Sequence, residues 1–157
     1  MISSDRNIKI REANEKDLNV LIEFELEIIK AERQFDNSLK EGEIHYYNFQ
    51  KLLLSPNAKV LVIEIENEII GSGYAAIKKA DTFLKHSEFA YIGLMYVKPV
   101  HRGQGISQQV LHRLKEWIIK REVTEIRLVV YDDNTDAKKA YMKAGFKAHV
   151  LEMRMEI

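Results

Sequence analysis

At 157 residues the chain is long enough to bury one core without disulfide or metal staples, so a single domain over 1–157 is expected. Lysine plus arginine and aspartate plus glutamate number 24 each, which leaves no excess charge to hold the chain on nucleic acid or an anionic membrane. Cysteine is absent, which excludes disulfides, thiolate metal sites and cysteine nucleophiles and suits a reducing compartment.

The opening residues 1–6 are polar, and no apolar run is long enough to span a bilayer, so a soluble, cytoplasmic protein is expected. Ile8-Lys9-Ile10 alternates as a short strand does, and Asn14 followed three residues later by Asp17 reads as an N-cap with an acidic first turn. The helix starting there carries Leu18, Leu21, Ile22, Ile28 and Ile29 at helical spacing. A second, less regular helical stretch with Ile44, Phe49, Leu52 and Leu53 is expected to stop at Ser55-Pro56-Asn57, because the residue before a proline is pushed out of helical conformation. The period then falls to two: 60–65 and 69–77 read as a hairpin whose turn residues are expected to be Asn67 and Glu68.

After a polar connection over 81–87, the apolar run 89–97 reads as a central strand ended by Pro99. Over 105–120, Ile106, Val110, Leu111, Leu114, Trp117 and Ile118 fall at spacings of three and four, the pattern of a core-facing helix. Residues 126–131 read as a strand, 134–143 as a short helix stopped by Gly145, and 146–157 as a final strand. The order β-α-α-β-β-β-α-β-α-β predicts an α/β (mixed α+β) fold, a central, mixed, twisted sheet of about six strands flanked by about four helices.

In His101-Arg102-Gly103-Gln104-Gly105-Ile106-Ser107, glycines at alternate positions let the backbone turn and let a ligand come close to its N–H groups. The helix beginning here adds unpaired N–H donors and the positive end of its dipole, which suits a phosphate or pyrophosphate, and Arg102 can add a charge-assisted bond. The glycines by themselves are equally compatible with a tight strand-to-helix connection. The pattern is neither a P-loop nor a dinucleotide fingerprint.

The segment 91–114 resembles the signature segment of the GNAT superfamily of acyl-CoA-dependent N-acetyltransferases. It has a hydrophobic strand ending near Val97, Lys98-Pro99, then arginine, two free residues, glycine, one free residue and a small residue; here the last is Ser107, where the family usually has glycine or alanine. Downstream, Asn134, Ala137, Tyr141 and Gly145-Phe146 resemble the Asn, Ala, Tyr, Gly-Phe pattern that follows the family's fifth strand. The resemblance covers about 89–146, and the first helices agree in general layout only.

The resemblance implies transfer of an acetyl group from acetyl-CoA to a primary amine of a small molecule, peptide or protein, by direct attack in a ternary complex and without a metal. On it, Arg102, Gly103, Gln104, Gly105, Ile106 and Ser107 would cradle the coenzyme A pyrophosphate. Met95, Tyr96 and Val97 would offer backbone groups to the pantetheine arm where the fourth and fifth strands splay. A backbone N–H near Met95 or Tyr96 would meet the thioester oxygen as it becomes an oxyanion. Asn134 would cap its helix and bond the arm beside Ala137 and Tyr141. Tyr141 would also protonate the leaving thiolate, a role suited to a phenol of pKa ~10 facing a thiol of ~8.5. As a residue alone, Tyr141 reads as half-buried packing four residues after Ala137.

Many members of that family carry a glutamate on the fourth strand; alignment on Val97 puts Gly93 there, and no acid lies between Ala90 and Val97. Glu32, Tyr91, Tyr96 and His101 remain as candidate bases, directly or through water, unless the amine arrives neutral. Residues 25–47 mix Glu25, Glu27, Glu32, Asp36, Glu41 and Glu43 with Phe35, Tyr46 and Tyr47, a composition that attracts a cationic amine or simply makes a solvated helix face. His45, His86, His112 and His149 lack metal-ligand spacing. The missing glutamate motivates a second reading, an acyl-CoA-binding module without transferase activity, and the glycine turn a third, a phosphate site for another nucleotide. The expected partner is an amine acceptor, not nucleic acid or membrane, and the edge of the last strand could pair with a second subunit as a homodimer.

Overall fold

The computed structural model describes residues 7–157, so the polar opening residues 1–6 lie outside it. Strands β1 (Ile8–Glu12), β2 (Ala58–Ile65), β3 (Glu68–Lys79), β4 (Glu88–Val97) and β5 (Ile126–Arg127) form one sheet in the order β1-β2-β3-β4-β5. The first four pair antiparallel, and β5 joins β4 in parallel. The helices are α1 (Leu18–Glu32), α2 (Phe49–Leu54), α3 (Ile106–Lys120) and α4 (Thr135–Lys143).

Each sheet face has its own core. Ile106, Val110, Leu114 and Ile118 of α3 are buried against Ile63, Ile70, Ala75 and Ile92, with Leu111 and Trp117 partly buried at the margin. On the other face, Leu21 of α1 and Phe49 of α2 pack on Val60, Val62, Tyr74 and Leu94. Burying each such large side chain stabilises by about 1.5–3 kcal/mol. The entry to α1 is a capping box, in which the Asn14 side chain accepts from Lys16 N–H at 2.9 Å and the Asp17 carboxylate from Asn14 N–H at 2.8 Å. Arg11 ties this corner to the sheet, bridging Asp17 at 2.7 Å and Glu64 at 2.8 Å.

Four boundaries differ from expectation. The hairpin turn is Glu66-Asn67, both at positive φ (51° and 68°), with Ile65 facing Glu68, so the turn sits one residue earlier than the sequence suggests. The second helix is shorter and leaves Ile44 in a loop. The cause is the buried Glu25 carboxylate, which accepts the Tyr46 and Tyr47 N–H groups at 2.6 and 2.8 Å; those donors cannot then serve a helix, and Asn48 caps α2 instead. The fifth strand keeps only Ile126–Arg127 of the expected 126–131, because its ladder with β4 ends at Tyr91. The expected final strand over 146–157 is absent for a related reason: among the described residues no neighbouring strand offers it a ladder, and Val150, Leu151, Met153 and Met155 stand exposed. Among the described residues the sheet therefore has five strands where about six were expected.

Candidate active site

The site is built around an irregularity in β4. Ser72 faces Tyr96 and Tyr74 faces Gly93, so Gly73 of β3 is opposed by two residues of β4, Leu94 and Met95. This is a β-bulge, a device that kinks a strand and re-aims its groups. Leu94 holds φ 52°, a left-handed conformation worth about 1–3 kcal/mol of strain in a non-glycine residue. Two bonds hold it there: the buried Ser72 hydroxyl donates to Leu94 C=O at 2.8 Å, and Leu94 N–H donates to the Tyr47 hydroxyl at 3.3 Å.

Because β5 pairs β4 only at Ala90 and Tyr91, the edge of β4 beyond the bulge has no strand beside it among the described residues. Met95, Tyr96 and Val97 form this last stretch of β4, with Tyr96 and Val97 opposite Ser72 and Gly71 of β3 on the other side. The Val97 carbonyl is already engaged, however, accepting from Arg102 Nε at 2.7 Å while the guanidinium lies over the Tyr96 ring at 5.5 Å. Arg102 thus fastens the glycine turn to the end of β4.

In that turn Gly103 and Gly105 have φ 76° and 75°, and nothing lies within 4 Å of where their Cβ atoms would be. The requirement for glycine is conformational, and the space is open for a ligand. Gly105 is the N-cap of α3 without a side-chain cap, and Gln109 is the first residue of the helix to donate back to the turn, to Gly105 C=O at 3.2 Å. The preceding N–H groups of Ile106, Ser107 and Gln108 remain available to an anion. Ile106 is buried and anchors the helix start, Ser107 is partly buried, and Gln104 is exposed.

The start of α3 meets α4 through Gln108, whose side-chain amide donates to Ala140 C=O at 3.3 Å. Asn134 caps α4 by accepting Ala137 N–H at 3.2 Å. On this helix Tyr141 is half-buried and edge-on to Phe146 at 5.9 Å. Burial raises its phenol pKa, and the charges of Tyr91 and Glu32 raise it further, which puts the three side chains in one electrostatic neighbourhood.

The facing wall comes from α1 and the loop after it. Glu25 is 0% exposed and also binds His45 Nδ1 at 2.8 Å, fixing the strand of loop that carries Tyr46 and Tyr47. Tyr47 packs edge-on to Tyr74 at 5.2 Å, and burial raises the Tyr74 phenol to about 12. A Cβ on Gly93 would meet the Tyr74 ring and come within 2.7 Å of the Tyr47 hydroxyl, so no longer side chain fits at that position. Glu32, the last residue of α1, accepts from Tyr46 Oη at 2.8 Å. Its carboxyl is shifted upward, mainly by burial, against the lowering effect of that bond. Asp36, held down to about 2 chiefly by Ser38, also accepts from Tyr131 at 3.0 Å.

Of the candidate bases, Glu32 and Tyr91 act electrostatically on Tyr141, whereas the other two are engaged elsewhere. Tyr96 stacks on Phe24 at 4.7 Å, and His101, whose Nδ1 is buried without a partner, sits near Glu68, whose carboxylate it helps to hold down. Ser72, Leu94 and the anchoring Glu25 were not expected from sequence. The available signal for the bulge is Gly71-Ser72-Gly73 in mid-strand, since interior glycines often mark irregular pairing.

A short parallel pair, a bulged fourth strand and a glycine turn opening a helix are what the resemblance to acyl-CoA-dependent acetyltransferases implies. The chain belongs to the acetyltransferase (GNAT) family, which matches residues 26–146, and as a member it is an enzyme of the acyltransferase class. It is 26% identical over 152 residues to thialysine N-epsilon-acetyltransferase of Bos taurus, covering 88% of this chain and 83% of that one. Its fold is shared with a mutant BH1408 protein from Bacillus halodurans (TM-score 0.85, 21% identity, 95% of this chain and 99% of that one). It is also shared with a predicted acetyltransferase from Clostridium acetobutylicum solved with acetyl-CoA (TM-score 0.74, 23% identity, 95% and 96%). Among the described residues, no helix is long and apolar enough to cross a membrane.

Proposed function

We propose that this chain transfers an acetyl group from acetyl-CoA to a primary amine of a small molecule, peptide or protein, by direct attack in a ternary complex. The observation carrying this reading is the open edge of β4 after Tyr91, ending beside the glycine turn that opens α3. Met95, Tyr96 and Val97 would hold the pantetheine arm, Val97 through its N–H because its carbonyl is bound to Arg102. The turn from Arg102 to Ser107 would hold the pyrophosphate, with Asn134 and Ala137 flanking the arm. Tyr141 would protonate the leaving thiolate.

Supporting this is the fit between residues and ligand: left-handed glycines with open space, unpaired helix-start N–H groups and a free strand edge suit an extended, anionic acyl carrier. A cytoplasmic location fits the absence of cysteine. A homodimer fits the exposed Val150, Leu151, Met153 and Met155, and light scattering of the purified chain tests it.

The test of function is release of free thiol from acetyl-CoA across a panel of alkyl, aromatic and peptide amines, beside calorimetric binding of coenzyme A. Turnover with binding supports the transferase. The close packing at Gly93 favours one competing reading, an acyl-CoA-binding module lacking the base common on the fourth strand, and binding without turnover for any amine would establish it.

A further inference from the structure

Glu32 is unusual among the acidic groups of the site because nothing cationic answers it. Asp17, Glu25 and Asp36 each meet an arginine or a histidine, whereas among the described residues no Lys, Arg or His lies within salt-bridge distance of Glu32. The neighbouring Arg33 is turned away, its guanidinium donating to Lys40 and Gly42 carbonyls at 2.7 and 2.6 Å. Glu32 is half-buried, oriented by Tyr46 Oη at 2.8 Å, and ends α1, where the negative end of the helix dipole adds to the deficit of positive charge. A carboxylate held this way can be relieved by a cation arriving with the substrate.

The titratable and charged groups around it come from several elements: Tyr46 and Tyr47 from the loop, Asp36 with Tyr131 at 3.0 Å and Arg154 at 3.2 Å on its carboxylate, Tyr91 from β4 with Lys78 over its ring at 4.4 Å, and Tyr141 from α4. Tyr141 is the candidate acid for the thiolate. Glu32, which has no ion-pair partner among the described residues, acts electrostatically on both Tyr91 and Tyr141 and is linked to the bulge through Tyr46, Tyr47 and the Leu94 N–H. At Gly93, where a glutamate is common in similar enzymes, Tyr47 and Tyr74 leave no room for one.

We infer that Glu32 is the proton acceptor of the reaction, and that the acceptor substrate is a cationic alkylamine that delivers its ammonium group to the Glu32 carboxylate. This rests on the transferase reading above. The ammonium gives one proton to Glu32, and the freed lone pair forms the C–N bond at the thioester carbonyl carbon. The C–S bond then breaks with its electron pair on sulfur, and the thiolate takes the Tyr141 proton. The Tyr141 phenolate takes the second nitrogen proton, Glu32 releases the first to water, and the products are the amide, the free thiol of coenzyme A and one proton.

The experiment compares wild type, Glu32→Gln and Tyr46→Phe by thiol release from pH 6 to 10, with the best alkylamine of the panel and with methoxyamine, which is neutral at pH 7. Glu32→Gln is expected to lower kcat for the alkylamine by about 10²–10³ at neutral pH. Affinity for acetyl-CoA should be unchanged, the loss should shrink as pH approaches the amine's own pKa, and methoxyamine should show a much smaller loss. Tyr46→Phe removes the bond that lowers the Glu32 pKa, so the acid limb of the rate profile should move to higher pH. Near wild-type turnover in Glu32→Gln, a loss equal at every pH and for both amines, or an unmoved acid limb in Tyr46→Phe, would overturn the role of Glu32 while leaving the transferase intact. No thiol release by the wild type with any amine would overturn the transferase reading and this role with it.

Discussion

The Tyr47 hydroxyl lies 2.7 Å from the point a Cβ on Gly93 would occupy, so a loop side chain fills the space that a longer β4 residue would use. The same hydroxyl accepts Leu94 N–H at 3.3 Å and thereby supports the bulge. One tyrosine thus links the loop after α1 to the irregular part of β4.

Replacing Gly93 tests that packing. Gly93→Ala should destabilise the fold by roughly 1–3 kcal/mol, as overpacking of a tight site does. Tyr47→Phe should cost about 1 kcal/mol through the unpaired Leu94 N–H. In the double variant the hydroxyl no longer opposes the new methyl, so its cost, measured by urea denaturation, should be less than the sum of the two single-variant costs. Gly93→Glu should unfold or weaken the protein and should not raise activity.

Tyr141→Phe should lower kcat for thiol release by about 10² or more with little change in acetyl-CoA affinity, because only the transferred proton is removed. Burial and nearby negative charge raise the phenol above its ordinary value of 10, so it stays protonated at neutral pH and loses its proton only at higher pH than a free phenol. The alkaline limb of the wild-type rate attributable to it should therefore lie above pH 10. A limb well below that pH which persists in Tyr141→Phe would remove Tyr141 from the role.

The helix ends around this site were legible in the sequence, and the irregular strand and the loop packed on it were not. Asn14, Asn134, Gly105 and Gly145 mark helix ends by chemistry that is local to each turn, and the apolar period of α3 needs no partner to be read. The Leu94 bulge depends on a register between β3 and β4, and the closure of Gly93 on a tyrosine 46 residues earlier in the chain. No local pattern encodes either. Likewise Ile44 has the period of a helix, but a buried glutamate on another helix takes the backbone donors that helix would need. The expected last strand failed because a strand exists only with a partner, and alternation in 146–157 does not supply one.

Gly105 carries a cost that any side chain would incur. At φ 75° with open space around the missing Cβ, Gly105→Ala should destabilise by roughly 1–2 kcal/mol through backbone strain alone. If the turn relaxes to avoid that strain, the start of α3 is displaced and acetyl-CoA affinity should fall. Thermal melts with and without acetyl-CoA separate the effects: the apo melt reports strain, and a reduced ligand-induced shift reports the lost anion site. An unchanged shift would mean that the turn does not hold the pyrophosphate.

Glu25 should control the acceptor side without touching the donor side. Its carboxylate holds Tyr46 N–H, Tyr47 N–H and His45, and Tyr46 and Tyr47 in turn position Glu32 and the bulge. Glu25→Ala leaves those buried donors unpaired at about 1–3 kcal/mol each, so a large loss of stability is expected. Glu25→Gln keeps an acceptor for the amides and should lose mainly the interaction with His45. The His45 pKa is raised above the ordinary 6.5, first by Glu25 and then by Glu43. A group whose folded pKa lies above its unfolded value stabilises fully below the unfolded pKa and loses that contribution as pH rises through the folded one. Wild-type stability from this contact should therefore decline as pH climbs past 6.5, and His45→Gln should flatten that decline. The amine KM should follow the same dependence, since the loop that His45 helps to fix carries Tyr46, while the Kd for acetyl-CoA should not. A KM that is flat across this range, or a Kd that varies with it, would show that the Glu25 anchor does not set the acceptor wall.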